Sequence, residues 1–188
     1  MRVSREQMVE NRARILREAG RLFREQGFAA VTVADVMKAA GQTHGGFYSH
    51  FDSKDALIAA TVAEALTGES KGMADIEAWT DAYLSPLHRD HPAQGCPTAS
   101  LAGLMRQQTP AARVAMATGL EAQLARFTAA LPDGDEDQRR REAIGRWSAM
   151  VGAVVLSRAV DDPELADELL AGTRAWLARD AAPSGEPT

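Results

Sequence analysis

Two stretches of this chain concentrate side chains able to do chemistry. The first runs from His88 to Cys96 and holds His88, Asp90, His91 and the sole cysteine of the sequence. A thiol near an imidazole is the raw material of a nucleophile, and two histidines with a thiolate can ligate zinc. The spacing follows no established zinc motif, and no catalyst-like sequence surrounds Cys96. These residues predict no enzyme, no metal and no cofactor. Gly95-Cys96-Pro97 precedes a helical stretch, which places Cys96 at an N-cap and Pro97 at N1. The helix dipole there favours a thiolate, as a sensor of oxidants or electrophiles requires. The alternative is a small packing residue.

The second stretch runs from Thr32 to Lys54. Thr32 has the character of an N-cap, with Asp35 three residues on, and opens a helix Val33–Ala40 that offers Val33, Val36, Met37 and Ala40 to a core. Gly41 ends it, and Thr43 can cap a short helix over about His44–His50. Two short helices around a glycine turn describe a helix-turn-helix. Its second helix must bury one face, a role suited to Phe47 and Phe51, and present the other to a major groove.

A supporting helix precedes the pair. Ile15, Ala19, Leu22 and Phe23 recur at helical spacing over Val9–Gln26, and Gly27 supplies a stop. A further helix begins at Asp52 or Ser53, with Leu57, Ile58, Val62, Ala65 and Leu66 as its apolar stripe. The region 69–74 reads as a linker or bend. Ile76 to Leu84 reads as a helix, Ser85 to Pro97 as a loop on account of its prolines and glycine. Helices are expected over Thr98–Gln108, Pro110–Leu131, Arg139–Val160 and Pro163–Arg179, with the acidic turn Pro132–Gln138 between the second and third. The tail 181–188 reads as disordered. No segment alternates with β-branched enrichment, so the chain is all-α.

The formal net charge of −5 is an average over unlike halves. Residues 1–54 carry nine Lys or Arg against six acids, leaving the rest at −8. A basic head on an acidic body is compatible with DNA, because phosphate binding depends on local charge. No run of the roughly 20 apolar residues that span a bilayer occurs. The polar start lacks a secretory signal, and one cysteine permits no internal disulfide. A soluble cytoplasmic protein without membrane partners is expected.

The run from Thr32 to Leu57, TVADVMKAAGQTHGGFYSHFDSKDAL, resembles the signature of the TetR family of bacterial transcriptional regulators. The agreement lies in Thr-Val-x-Asp-Val, the Ala-Gly turn, Gly-x-Phe-Tyr-x-His-Phe and Ser-Lys-Asp-x-Leu, and the Ile15–Gly27 helix followed by Phe28 extends it. About fifty contiguous residues agree; the remainder matches only in being helical.

The resemblance implies a helix-turn-helix DNA-binding domain over 1–54 and a helical ligand-binding and dimerisation domain over 55–180. Tyr48 and Lys54 would contact phosphates, and His50 would lie against DNA. Thr43 and His44 would face the groove, while Thr32 and Val33 would bring the second helix to the backbone through its amides. Gly45 and Gly46 replace side-chain-bearing residues, each costing about 1 kcal/mol in helix propensity relative to alanine. His44, Ser49 and Gln42 remain as base readers. The helices over 139–160 and 163–179 would form a homodimer interface, through Ile144, Trp147, Val151, Val154, Val155 and Leu156, then Leu165, Leu169, Leu170, Trp176 and Leu177. An inducer pocket would be lined by Trp79, Tyr83, Met105, Met116, Phe127, Trp147 and Met150. The expected function is a repressor that binds a palindromic operator as a dimer and releases it on binding a small molecule. The alternatives are a redox or electrophile sensor acting through Cys96, or an activator of the same fold.

Overall fold

The computed structural model describes residues 4–67 and 75–180. All regular structure among them is helical, so the all-α expectation holds. None of these helices is long and apolar enough to cross a membrane. The expected bend at 69–74 and tail at 181–188 lie outside the described residues.

The helices are α1 (Arg5–Ala30), α2 (Val33–Ala39), a 3-10 segment (His44–Ser49), α3 (Lys54–Thr67), α4 (Ile76–Tyr83), α5 (Pro86–Asp90), α6 (Pro97–Leu101, continuing as 3-10 over Ala102–Gln107), α7 (Pro110–Ala130), α8 (Glu136–Arg158) and α9 (Pro163–Asp180). The described residues fall into two compact units, one comprising those up to Thr67 with Pro92–Gln123, the other those from Asp75 to His91 with Leu124–Asp180.

In the first unit α1 is the spine, with α2, α3 and α6 packed on it. Ile15, Ala19 and Phe23 meet Val36, Met37, Phe47, Leu57, Ile58 and Leu101 in one apolar core. The boundary expected after residue 54 falls inside this unit, because the stripe of α3 (Leu57, Ile58, Val62, Leu66) is buried with α1. Gly27 breaks α1 at φ 78°, but one more helical turn follows before Val31. The break at glycine was expected; the extra turn persists because Phe28 is buried against Phe23, ring centroids 5.1 Å apart. On α7, a Cβ at Gly119 would overlap the side chain of Leu66, so the two helices meet there at backbone range.

In the second unit α8 packs along α9 and holds α5. The loop expected over Ser85–Pro97 contains α5, with Pro86 at its first turn and Ser85 Oγ accepting from the His88 amide at 3.2 Å. Proline starts this helix instead of breaking it, since N1 needs no amide donor. Arg158 clamps α5 to α8 through the carbonyls of His88 (2.7 Å) and Arg89 (2.9 Å). α8 begins at Glu136, earlier than the expected Arg139, because Asp135 caps it by accepting from Gln138 N at 2.9 Å.

Candidate functional site

The helix-turn-helix is built as its residues dictate. Thr32 and Asp35 form a reciprocal capping box: Asp35 N donates to Thr32 Oγ1 (3.1 Å), and Thr32 N and Oγ1 both donate to Asp35 Oδ2 (2.9 and 2.6 Å). Those bonds hold the Asp35 carboxyl below its usual range, chiefly through the Thr32 hydroxyl. The cap thus occupies Thr32, leaving the amides of Val33 and Ala34 outside the exchange. Gly41, at φ 65°, adopts the left-handed conformation that closes α2.

The recognition segment departs from expectation in form. It is a 3-10 helix, and Thr43 stands at its N-cap without a side-chain capping bond. Two consecutive glycines explain this: they contribute least to α-helical stability, and the poorer 3-10 geometry serves over a short run. Phe47 is its buried residue, stacked on Phe51 with centroids 5.7 Å apart. On the outer side Thr43, His44, Gly45, Tyr48 and Ser49 are exposed, Tyr48 by 68%. Nothing lies within 4 Å of a Cβ built on Gly45, so neither packing nor backbone angle demands glycine there.

Ser49 Oγ donates to the carbonyl of Gly46 at 2.6 Å. Its lone pairs stay available to a base amino group, while donation to a base acceptor would break that bond. His50 is half-buried, and burial followed by the Arg12 charge keeps its imidazole below the ordinary value. Lys54, half-buried, opens α3, where Ser53 Oγ accepts from Ala56 N at 3.1 Å. Gln42, read as a base contact, points elsewhere: its amide donates to Asn11 Oδ1 at 3.2 Å. Asn11 and Arg12 gave no such signal in the sequence, because Gln42 and His50 lie 31 or more positions from them and no periodicity links these pairs.

The seven residues expected to line an effector pocket divide. In the second unit Trp79, Tyr83, Phe127 and Trp147 gather, with centroids 5.2–6.1 Å apart. Met150, one turn from Trp147, is fully buried. Met105 and Met116 instead sit in the core of the first unit. The indole N–H of Trp147 is buried with no acceptor. The second unit also has a cavity of about 590 Å³ between α4, α8 and α9, lined by Ile76, Leu131, Arg139, Arg146, Arg174 and Leu177 among others, and by none of those seven.

The residues expected at a dimer interface also divide. Trp147, Val154, Leu170 and Leu177 are buried within the chain, whereas Ile144, Val155, Leu156, Leu165 and Trp176 are exposed by 41–54%. Cys96 is half-buried at the N-cap of α6 with Pro97 following, as expected. Burial lowers the pKa of the Arg24 guanidinium. Arg24 itself donates to Ala93 O from Nε (2.9 Å) and Nη2 (2.6 Å). His88 Nδ1 lies 2.7 Å from Tyr83 O and His91 Nδ1 2.9 Å from Leu87 O. Among the described residues no three His, Cys, Asp or Glu gather to hold a metal.

Comparison with known proteins agrees with this architecture. Residues 15–61 match the family described as bacterial regulatory proteins, tetR family. The regulator TtgR of Pseudomonas putida is 40% identical over 60 residues, 32% of this chain and 29% of that protein. The repressor KstR2 of Rhodococcus jostii is 45% identical over 47 residues, 25% of this chain and 23% of that protein. The match thus spans less than a third of the length of these curated relatives. The crystal structure of reduced NemR from E. coli superposes with a TM-score of 0.74 at 18% identity, covering 90% of this chain and 97% of that one. The fold is therefore shared over almost the whole chain, whereas the family match covers residues 15–61.

Proposed function

We propose that this chain, whose residues 15–61 match the tetR family of bacterial regulatory proteins, is a dimeric transcriptional repressor of that family that releases its operator on binding a small molecule. The observation that carries this is the exposed row Thr43, His44, Gly45, Tyr48 and Ser49, raised on the buried Phe47 and Phe51. Tyr48 and Lys54 hold phosphates, with His50 beside them and the α2 N-terminus at Thr32 and Val33 abutting the backbone. His44 and Ser49 read bases, and Gly45 allows close approach. Phosphate contacts set position and base contacts set sequence. Selection from random DNA should enrich an inverted repeat whose half-site centres lie about 34–36 Å apart or at a multiple. Lys54→Ala should weaken binding to all sequences and lower the salt slope by about one. Failure to enrich any inverted repeat refutes the reading, and reporter output separates a repressor from an activator.

Dimerisation is supported by the exposed apolar residues of α8 and α9. The effector region is the aromatic cluster of the second unit, where the unpaired Trp147 N–H favours a ligand that presents an acceptor. Met105 and Met116 belong to the first core and take no part in that cluster. For a hundredfold loss of operator affinity the ligand must favour the released form by about 2.7 kcal/mol. A second route would run through Cys96, which stands half-buried at the α6 N-cap with Pro97 following. On this reading Cys96→Ser still binds operator but no longer releases it after alkylation. A variant that releases as readily as the wild type leaves the reversible ligand as the sole account.

A further inference from the structure

A recognition helix must hold its pitch against DNA, and this one has little of its own to hold it with. Its six residues form a 3-10 segment with two glycines, no side-chain cap at Thr43, and one buried side chain, Phe47. Orientation must come from outside the segment, and two consecutive residues of α1 supply it, one at each end.

At the leading end, Gln42 Nε2 donates to Asn11 Oδ1 at 3.2 Å. Asn11 is 8% exposed, and the same oxygen lies 3.3 Å from Arg14 Nη2 and 3.4 Å from Gln7 Nε2. A buried acceptor surrounded by donors is costly to lose, so it fixes its partners firmly. At the trailing end, the Arg12 guanidinium lies over the Phe51 ring, 4.5 Å from its centroid. Phe51 is buried, and its amide bonds back to Phe47 O at 3.0 Å. Arg12 Nη1 is buried without a hydrogen-bond partner. The ring face is thus its compensating neighbour, an attraction that grows with desolvation. Neighbours on a helix point about 100° apart, so one stretch of α1 can reach both ends.

We propose that Asn11 and Arg12 are positioning residues that mount the two ends of the recognition segment and thereby set its sequence selectivity. This rests on the DNA-binding reading, but the mount itself can be tested without DNA. In the DNA-free protein, Asn11→Leu and Arg12→Met should each raise hydrogen exchange at the Gly46, His50 and Phe51 amides tenfold or more. Exchange in α7 should stay unchanged. With DNA, each should lower the affinity ratio of selected to unrelated duplex by tenfold or more at fixed salt, leaving the salt slope intact. Arg12→Lys, which keeps a cation over Phe51, should restore part of both effects. Gln42→Leu removes the Asn11 bond from its more exposed side; it should reproduce Asn11→Leu and add nothing to it.

Unchanged exchange in Gln42→Leu and Arg12→Met overturns the mount whatever DNA does. A salt slope lowered by one with the ratio preserved in Arg12→Met also overturns it, making Arg12 a phosphate contact. A wild-type protein that enriches no inverted repeat overturns the link to selectivity, and the exchange result then decides the mount alone.

Discussion

Replacing Gly119 by alanine adds one methyl group where α7 meets α3. The new Cβ would overlap Leu66, coming within 2.6 Å of its Cδ1 and 3.0 Å of its Cγ, and closer still to its Cβ. Rotation of the leucine relieves the first two contacts but not the third, because Cβ is fixed to the helix backbone. Leu66 is 1% exposed in the core beside Val62, so the helices must separate. Alanine gains about 1 kcal/mol over glycine in helix propensity. Overpacking a core costs typically 1–3 kcal/mol, and a backbone-level clash belongs at the upper end. The expected net loss is about 2 kcal/mol. Gly145 on α8 is the control: nothing lies within 4 Å of its Cβ, so Gly145→Ala should stabilise by up to about 1 kcal/mol. Urea unfolding followed by circular dichroism measures both, provided the m-values agree. A Gly119→Ala protein as stable as Gly145→Ala would refute the close approach of α7 to α3.

Removing the Thr32 hydroxyl, as Thr32→Val, should destabilise by about 1 kcal/mol, read from the urea midpoint. Asp35 is held low by the same box, so its contribution is complete above its unfolded value and lost as pH falls through its folded one. Gly41→Ala should cost about 1–2 kcal/mol by forcing a side chain at φ 65°, whereas Gly45→Ala should leave the fold intact and weaken operator binding. His88 is held below 6.5, first by burial, so native stability should be full above that pH and decline as pH falls through its folded value; His88→Gln should flatten the decline in part, since His50 shifts the same way. Trp176→Glu should yield monomers by sedimentation, and an unchanged dimer would remove α9 from the proposed interface.

The sequence alone carried much of the head. The Thr32–Asp35 box, the stop at Gly41 and the burial of Phe47 and Phe51 are local matters, set by capping, backbone angle and period, and each stands in the structure as the residues imply. The recognition segment was legible in position but not in form. Two glycines weaken the α-helix without forbidding it, so the choice between α and 3-10 fell to the packing of Phe47 beneath the segment. Proline misled at Pro86, because the same ring breaks a helix or begins one according to a serine cap that only geometry reveals.

Tertiary structure decided the rest. An apolar residue on an amphipathic helix can face its own core, a ligand or another copy, and periodicity is the same in each case. Burial separates Trp147 and Leu177, turned inward, from Ile144 and Trp176, turned out, and sends Met105 and Met116 to a different core from Met150. Gln42 shows the same limit for polar groups. Its amide suits a base edge as well as it suits Asn11, and only the fold, by bringing α1 alongside the turn, chose between them.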